Sequence, residues 1–137
     1  MQTFLPYASF KKSVQVLDYR RLGKQRVEGM QILNVLLNVS DKKGWKNHPA
    51  VLMWKGHENA LKLYVNTCIN EWVARGYNNS MKLYVVKEPV IYPSWFKFEK
   101  FHSAHRSNLL RKDVAYYSQF KWLEPADMPY YWPSKKE

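Results

Sequence analysis

Residues 57–76, HENALKLYVNTCINEWVARG, carry the clearest periodic signal in the chain. Leu61, Tyr64, Val65, Cys68 and Trp72 fall at i, i+3, i+4, i+7 and i+11, which is one stripe of an α-helix. Arg75 complements the negative end of that helix and Gly76 ends it. The same period recurs on either side. Ser9 caps a short helix over Phe10–Leu17, and a longer helix runs from about Leu22 to Leu37, with Val27, Met30, Leu33 and Leu37 expected inward. Pro49 suits the first turn of a short helical segment that Gly56 breaks, and a last helix is expected over Ser103–Phe120. Residues 38–47 read as a polar loop, and Lys82–Val86 as a short strand or merely extended chain. The tail from Trp122 to Pro133 has too much proline for regular structure and too many aromatics for disorder. The expected fold is therefore all-α. It is a single compact domain over residues 1–137, with three to five helices, long aromatic loops and an ordered aromatic C-terminal tail.

The chemistry concentrates just before and within the first long helix. Residues 17–28 read LDYRRLGKQRVE, with four cations, one amide and two carboxylates in twelve positions. Arg21, Lys24, Gln25 and Glu28 lie at i, i+3, i+4 and i+7 and share one helix face. Such a face suits phosphate oxygens and base edges, with an acid among the cations. A solvated helix surface has the same composition, so the remainder of the chain has to decide.

Composition favours a polyanionic partner. The 137 residues carry a formal net charge of +11, and aromatics reach 16%, with six Trp and ten Tyr. Excess cation attracts nucleic acid, and exposed aromatic rings stack on bases. A membrane surface is also anionic, but there is no 18-residue apolar run and no long basic amphipathic helix. The opening MQTFLP lacks a cationic segment followed by an apolar stretch, so no signal peptide is expected. One cysteine, Cys68, forms no internal disulfide and fits a reducing compartment. The expected location is the cytoplasm, nucleoid-associated, or the host cytoplasm if the chain is virus-encoded.

Other chemistries find little support. His102 and His105 are spaced i, i+3 and followed by Arg106, but no third metal ligand is evident. The pair suits hydrogen bonds to phosphate or to local backbone better. His48, beside Pro49, is either a cap or a group that reaches substrate, and His57 is a cap or a surface residue. No glycine-rich phosphate loop and no GxSxG occurs, and Cys68 lies on the buried stripe of its helix. Neither a metal nor another cofactor is expected. Only Asp18 and Glu28 place carboxylates inside the basic cluster, where cations keep them ionised.

The order of these elements resembles the pyrimidine-dimer DNA glycosylase family, the small phage and viral enzymes of the endonuclease V type. The matching stretches are Asp18-Tyr-Arg-Arg-Leu, Gly56-His57 leading into a helix that ends Arg75-Gly76-Tyr77, Phe101-His102-Ser-Ala, and the aromatic tail. A bacterial and phage branch of that family is similar at Thr3–Tyr7 (TFLPY), Arg21–Arg26 (RLGKQR), His48-Pro49 and Met53-Trp54. The resemblance spans most of the chain. It implies an all-α domain that binds and kinks duplex DNA and pushes a base out of the stack. It further implies that the α-amine of the first residue attacks the sugar C1′ to form an imine, a glutamate assisting, and that β-elimination then cuts the strand.

Two departures bear on that chemistry. Arg21 stands where the family has its glutamate, and residue 2 is Gln, whose bulk disfavours removal of Met1. The resemblance then nominates Met1, Glu28 and Asp18 as catalytic residues, Glu28 ahead of Asp18 because it shares a face with Arg21, Lys24 and Gln25. It nominates Arg20, Arg21, Lys24, Gln25, Arg26, His48, Trp54, His57, His102, His105, Arg106, Tyr130, Tyr131 and Trp132 as nucleic-acid-binding. Double-stranded DNA is the expected partner, with no membrane and no obligatory protein partner. Two alternatives stay open: a DNA-binding module without catalysis, and an enzyme acting on a different modified base or a nucleotide.

Overall fold

A computed structural model describes residues 2–39 and 45–133. Its regular structure is helical, with no strand among the described residues. The elements are α1 (Phe10–Gln15), α2 (Tyr19–Leu36), α3 (Pro49–Leu52), α4 (Glu58–Ala74), α5 (Glu99–Lys112) and α6 (Val114–Tyr117), with 3-10 turns at Ser94–Lys97 and Ser118–Phe120. The all-α expectation holds; α3 and α6 are single turns of four residues each. None of these helices is long and apolar enough to cross a membrane.

Local chemistry sets the helix ends. Ser9 caps α1 by accepting from Lys12 N, Asp18 caps α2 by accepting from Arg21 N, and His48 caps α3 by accepting from Ala50 N. Gly76, at φ +90°, lets the chain leave α4 in the left-handed region. Arg75 binds Glu71 and also donates to the carbonyls of Val14 and Gln15, which ties the end of α4 to the end of α1.

The core forms where α4 meets α2. Leu61, Tyr64, Val65 and Cys68 of α4 are all buried, as their period requires. The inward face of α2 differs from the expected one. Val27 and Leu37 are exposed, while Leu22, Gln25, Gly29, Ile32 and Leu33 are buried. The reason is steric: at Gly29 the helices approach so closely that an added Cβ would lie 2.5 Å from Val65 Cγ2. A Gly29→Ala change should therefore cost about 1–3 kcal/mol of overpacking, more than alanine regains in helix propensity. A fall in Tm of roughly 3–10 °C is expected by thermal denaturation. Adding Val65→Ala should recover part of it.

The C-terminal half departs further from its sequence reading. The 103–120 helix begins earlier, at Glu99, and breaks at Asp113, whose side chain caps α6 by accepting from Tyr116 N. Lys82–Val86 is extended without a partner strand. Asn66 bonds both the N–H and C=O of Tyr84, and Asn59 does the same for Lys87. Two amides seven residues apart on α4 thus replace a strand edge. The described part of the tail packs against the helices. Trp122 stacks on Tyr117 and donates to the Tyr7 hydroxyl, while Glu124 pairs with Arg106.

Candidate functional site

The exposed face of α2 forms one wall of a cleft of about 890 Å³. Arg21, Lys24, Gln25 and Glu28 all line it, together with Asp18, Tyr19 and Arg20. The chain start contributes Gln2 and Phe4, and the C-terminal half contributes Lys112, Asp113, Tyr116, Tyr130 and Trp132. His48 also lines the cleft. An adjoining groove of about 700 Å³ runs over the other side of α2 between Tyr19, Val27, Trp45 and Trp72. Glu28 and His48 line both spaces.

A buried amide holds the chain start in place. Gln25 is almost fully buried; its Oε1 accepts from Phe4 N at 2.9 Å and from the Tyr64 hydroxyl at 2.6 Å, and its Nε2 donates to the Gln2 carbonyl at 2.8 Å. Trp54 Nε1 donates to Thr3 Oγ1, and Leu5 N donates to His105 Nδ1. Threaded this way, Gln2 N donates to Glu28 Oε2 at 2.7 Å. Met1 lies outside the described residues.

The two carboxylates have different surroundings. Asp18 is buried, and burial alone would raise its pKa. Hydrogen bonds from the Tyr117 hydroxyl and from Arg21, with the Arg21 charge, outweigh burial and hold it below the usual range. Three donors thus occupy Asp18, and its charge serves to fix Arg21. Glu28 accepts from the chain start and faces the open cleft.

Several nominated residues have structural surroundings instead. Trp54, His102 and His105 are buried in the core, so a direct contact with nucleic acid is replaced by internal bonds. Both His102 ring nitrogens lie 2.7 Å from carbonyl oxygens, those of Leu5 and Phe96. Burial drives His105 down to about 3, so it is neutral and accepts from Leu5 N. Arg106 is spent on Pro6 O, Glu99 and Glu124. Arg26 turns away from the cleft, bonds Asn79 at 2.6 Å and lies over the Trp72 ring at 4.4 Å. His57 sits at the start of α4 outside the cleft, and Tyr131 packs edge-on against Phe101. Burial also pushes the Cys68 thiol up to about 12, which suits its core position.

Lys112, Tyr19 and Tyr116 were not nominated from sequence, yet they line the cleft. No spacing marked them, because α5 and α6 reach the site through the fold rather than through a local motif. Tyr19 alone had a signal, since it sits inside the charged segment.

The depressed carboxylates also set acid stability. Glu124, like Asp18, has its pKa lowered: burial raises it, but bonds from Arg106 and Ser103 prevail. Folded values below the unfolded ones of about 3.9 and 4.3 give stability that is complete above those values. It is lost as pH falls through the folded ones. Urea titrations should show the unfolding free energy dropping between about pH 5 and pH 3, with a shallower drop in Glu124→Gln.

The family described as pyrimidine dimer DNA glycosylase matches residues 1–85. The chain belongs to this family. The matched region carries α1 to α4, and so supplies the chain start, the charged face of α2 and His48. The cleft residues Lys112, Tyr116, Tyr130 and Trp132 lie beyond it. No curated protein and no solved structure matches the chain. Membership gives a function of the pyrimidine-dimer DNA glycosylase type, with DNA as substrate.

Proposed function

We propose that the cleft is the active site of a DNA glycosylase and abasic-site lyase acting on duplex DNA, with the target nucleotide turned out of the stack. The observation that carries this reading is the 2.7 Å bond from Gln2 N to Glu28 Oε2, which brings the polypeptide start and a carboxylate together. The cations Arg20, Arg21, Lys24 and Lys112 border that point and suit phosphates on either side. Tyr19, Tyr130 and Trp132 supply rings for the displaced base or the gap it leaves.

The proposed chemistry uses the α-amine at the start of the chain, that of Met1 when it is retained. An α-amine has a pKa of about 7.7–8.0, so a useful fraction is neutral and nucleophilic near neutral pH. Its lone pair forms a bond to C1′ while the C1′–base bond breaks and its electron pair leaves with the base. The nitrogen loses a proton to Glu28, which passes it to O4′ as the C1′–O4′ bond breaks, and the opened sugar is held as a protonated imine. Glu28, again a carboxylate, then takes a C2′ proton, and the C3′–O bond breaks with its electron pair leaving on the 3′ phosphate. Glu28 is the group assigned to both proton transfers. Asp18 is given the supporting role of holding Arg21, because three donors already occupy it.

Borohydride trapping on ultraviolet-irradiated duplex and on abasic duplex tests this reading. Covalent adducts with both are expected, and they should disappear when the amino terminus is blocked. Binding without adduct or nicking would leave a DNA-binding module. Reaction with the abasic duplex alone would indicate adventitious amine reactivity.

A further inference from the structure

His48 carries a hydrogen-bond donor whose tautomer the fold dictates. Its Nδ1 accepts from Ala50 N at 3.0 Å as the N-cap of α3. A ring nitrogen that accepts has no proton, so the single proton of the neutral imidazole sits on Nε2, the outer edge of the ring. Burial lowers the pKa of His48 and so favours that neutral ring. Trp132 meets the imidazole edge-on, with centroids 6.2 Å apart and planes at 88°. The ring stands where the cleft joins the aromatic groove, and Glu28 lines the same two spaces.

We infer that His48 is a second functional group of the site, its Nε2–H donating to a carbonyl oxygen of the departing base. This rests on the glycosylase reading above. As the C1′–base bond breaks, its electron pair spreads onto the base, and a fixed donor stabilises that charge without giving up its proton. Glu28 then handles protons on the amine and sugar, while His48 serves the base. The base takes its proton from solvent after release. Both groups are positioned before substrate arrives, one by the chain start and one by a helix cap.

His48→Asp separates the donor from the cap, because aspartate caps helices well, its carboxylate can accept from Ala50 N, and it has no N–H to offer the base. Single-turnover cleavage of the C1′–base bond in irradiated duplex should fall about 10²-fold more than cleavage of a preformed abasic duplex, which has no base to expel. Equal losses in both steps would overturn the assignment. A second measurement does not depend on turnover. In ¹⁵N-histidine spectra of the amino-terminally blocked protein, the proton should sit on Nε2, and bound irradiated duplex should shift Nε2 much more than Nδ1. A proton on Nδ1, or an Nε2 signal indifferent to the bound duplex, would overturn it. An Nε2 shift together with no C1′–base cleavage by the unblocked protein would uphold the contact and refute the glycosylase reading.

Discussion

Glu28→Gln is expected to reduce strand cleavage of abasic duplex about 10³-fold in single-turnover assays, with duplex affinity changed less than about threefold. The amide keeps an oxygen able to accept from Gln2 N, so the chain start stays where Glu28 holds it. What it loses is the capacity to take a proton. Glu28 is only part-buried on the cleft face of α2, so the change leaves no cavity and Tm should move by no more than about 2 °C. Asp18→Asn should behave differently. It weakens the hold on Arg21 and leaves the Tyr117 hydroxyl with a poorer acceptor, so affinity and stability decline together.

Gln25→Leu should give the largest loss of stability among substitutions in the α2 face. It removes three bonds and leaves Phe4 N and the Gln2 carbonyl without a partner, while the Tyr64 hydroxyl keeps the Phe4 carbonyl alone. Unsatisfied buried groups cost about 1–3 kcal/mol each, so a total of about 2–5 kcal/mol and a fall in Tm on the order of 10 °C are expected. Catalysis should suffer beyond that. At temperatures where the variant remains folded, its chain start is no longer tied beside Glu28, so cleavage falls while the cleft cations still bind duplex. Differential scanning calorimetry and binding at two salt concentrations separate the two effects.

The sequence made parts of this legible for identifiable reasons. The stripe Leu61, Tyr64, Val65, Cys68 is long, regular and apolar, and it packs as its period requires. Ser9, Pro49 and Gly76 act through their immediate neighbours, so the local pattern located those ends. The face of Arg21, Lys24, Gln25 and Glu28 also follows from helix geometry alone. The failures are tertiary. A glutamine and a glycine form the contact face of α2 because a loop and a partner helix meet there, and hydropathy counted Val27 and Leu37 instead. His102, His105 and Arg106 read as a polar surface cluster, yet the N-terminal segment passes over them and uses their hydrogen bonds. Lys112 joins the cleft through chain folding across more than eighty residues from Glu28, and no short pattern encodes that.

The carboxylate substitution has a physical interpretation. In the resemblance the acid is expected at the position of Arg21, and Glu28 lies seven residues later, two helical turns along nearly the same face. The chain start reaches that second acid because Gln25 anchors it one turn before. The vacated position holds a cation that Asp18 keeps at the cleft edge. In the proposed reading, relocation of the acid and anchoring of the chain start are one arrangement.

Peptide mapping of the borohydride-trapped complex tests that arrangement most directly. Two lysines, Lys24 and Lys112, line the cleft, and the α-amine belongs to the residue before Gln2, whose own N–H reaches Glu28. The account predicts that the trapped sugar remnant is found on the amino-terminal peptide, at its α-nitrogen, and that Glu28→Gln slows its formation. A remnant on Lys24 or Lys112, with the α-amine unmodified, would contradict it.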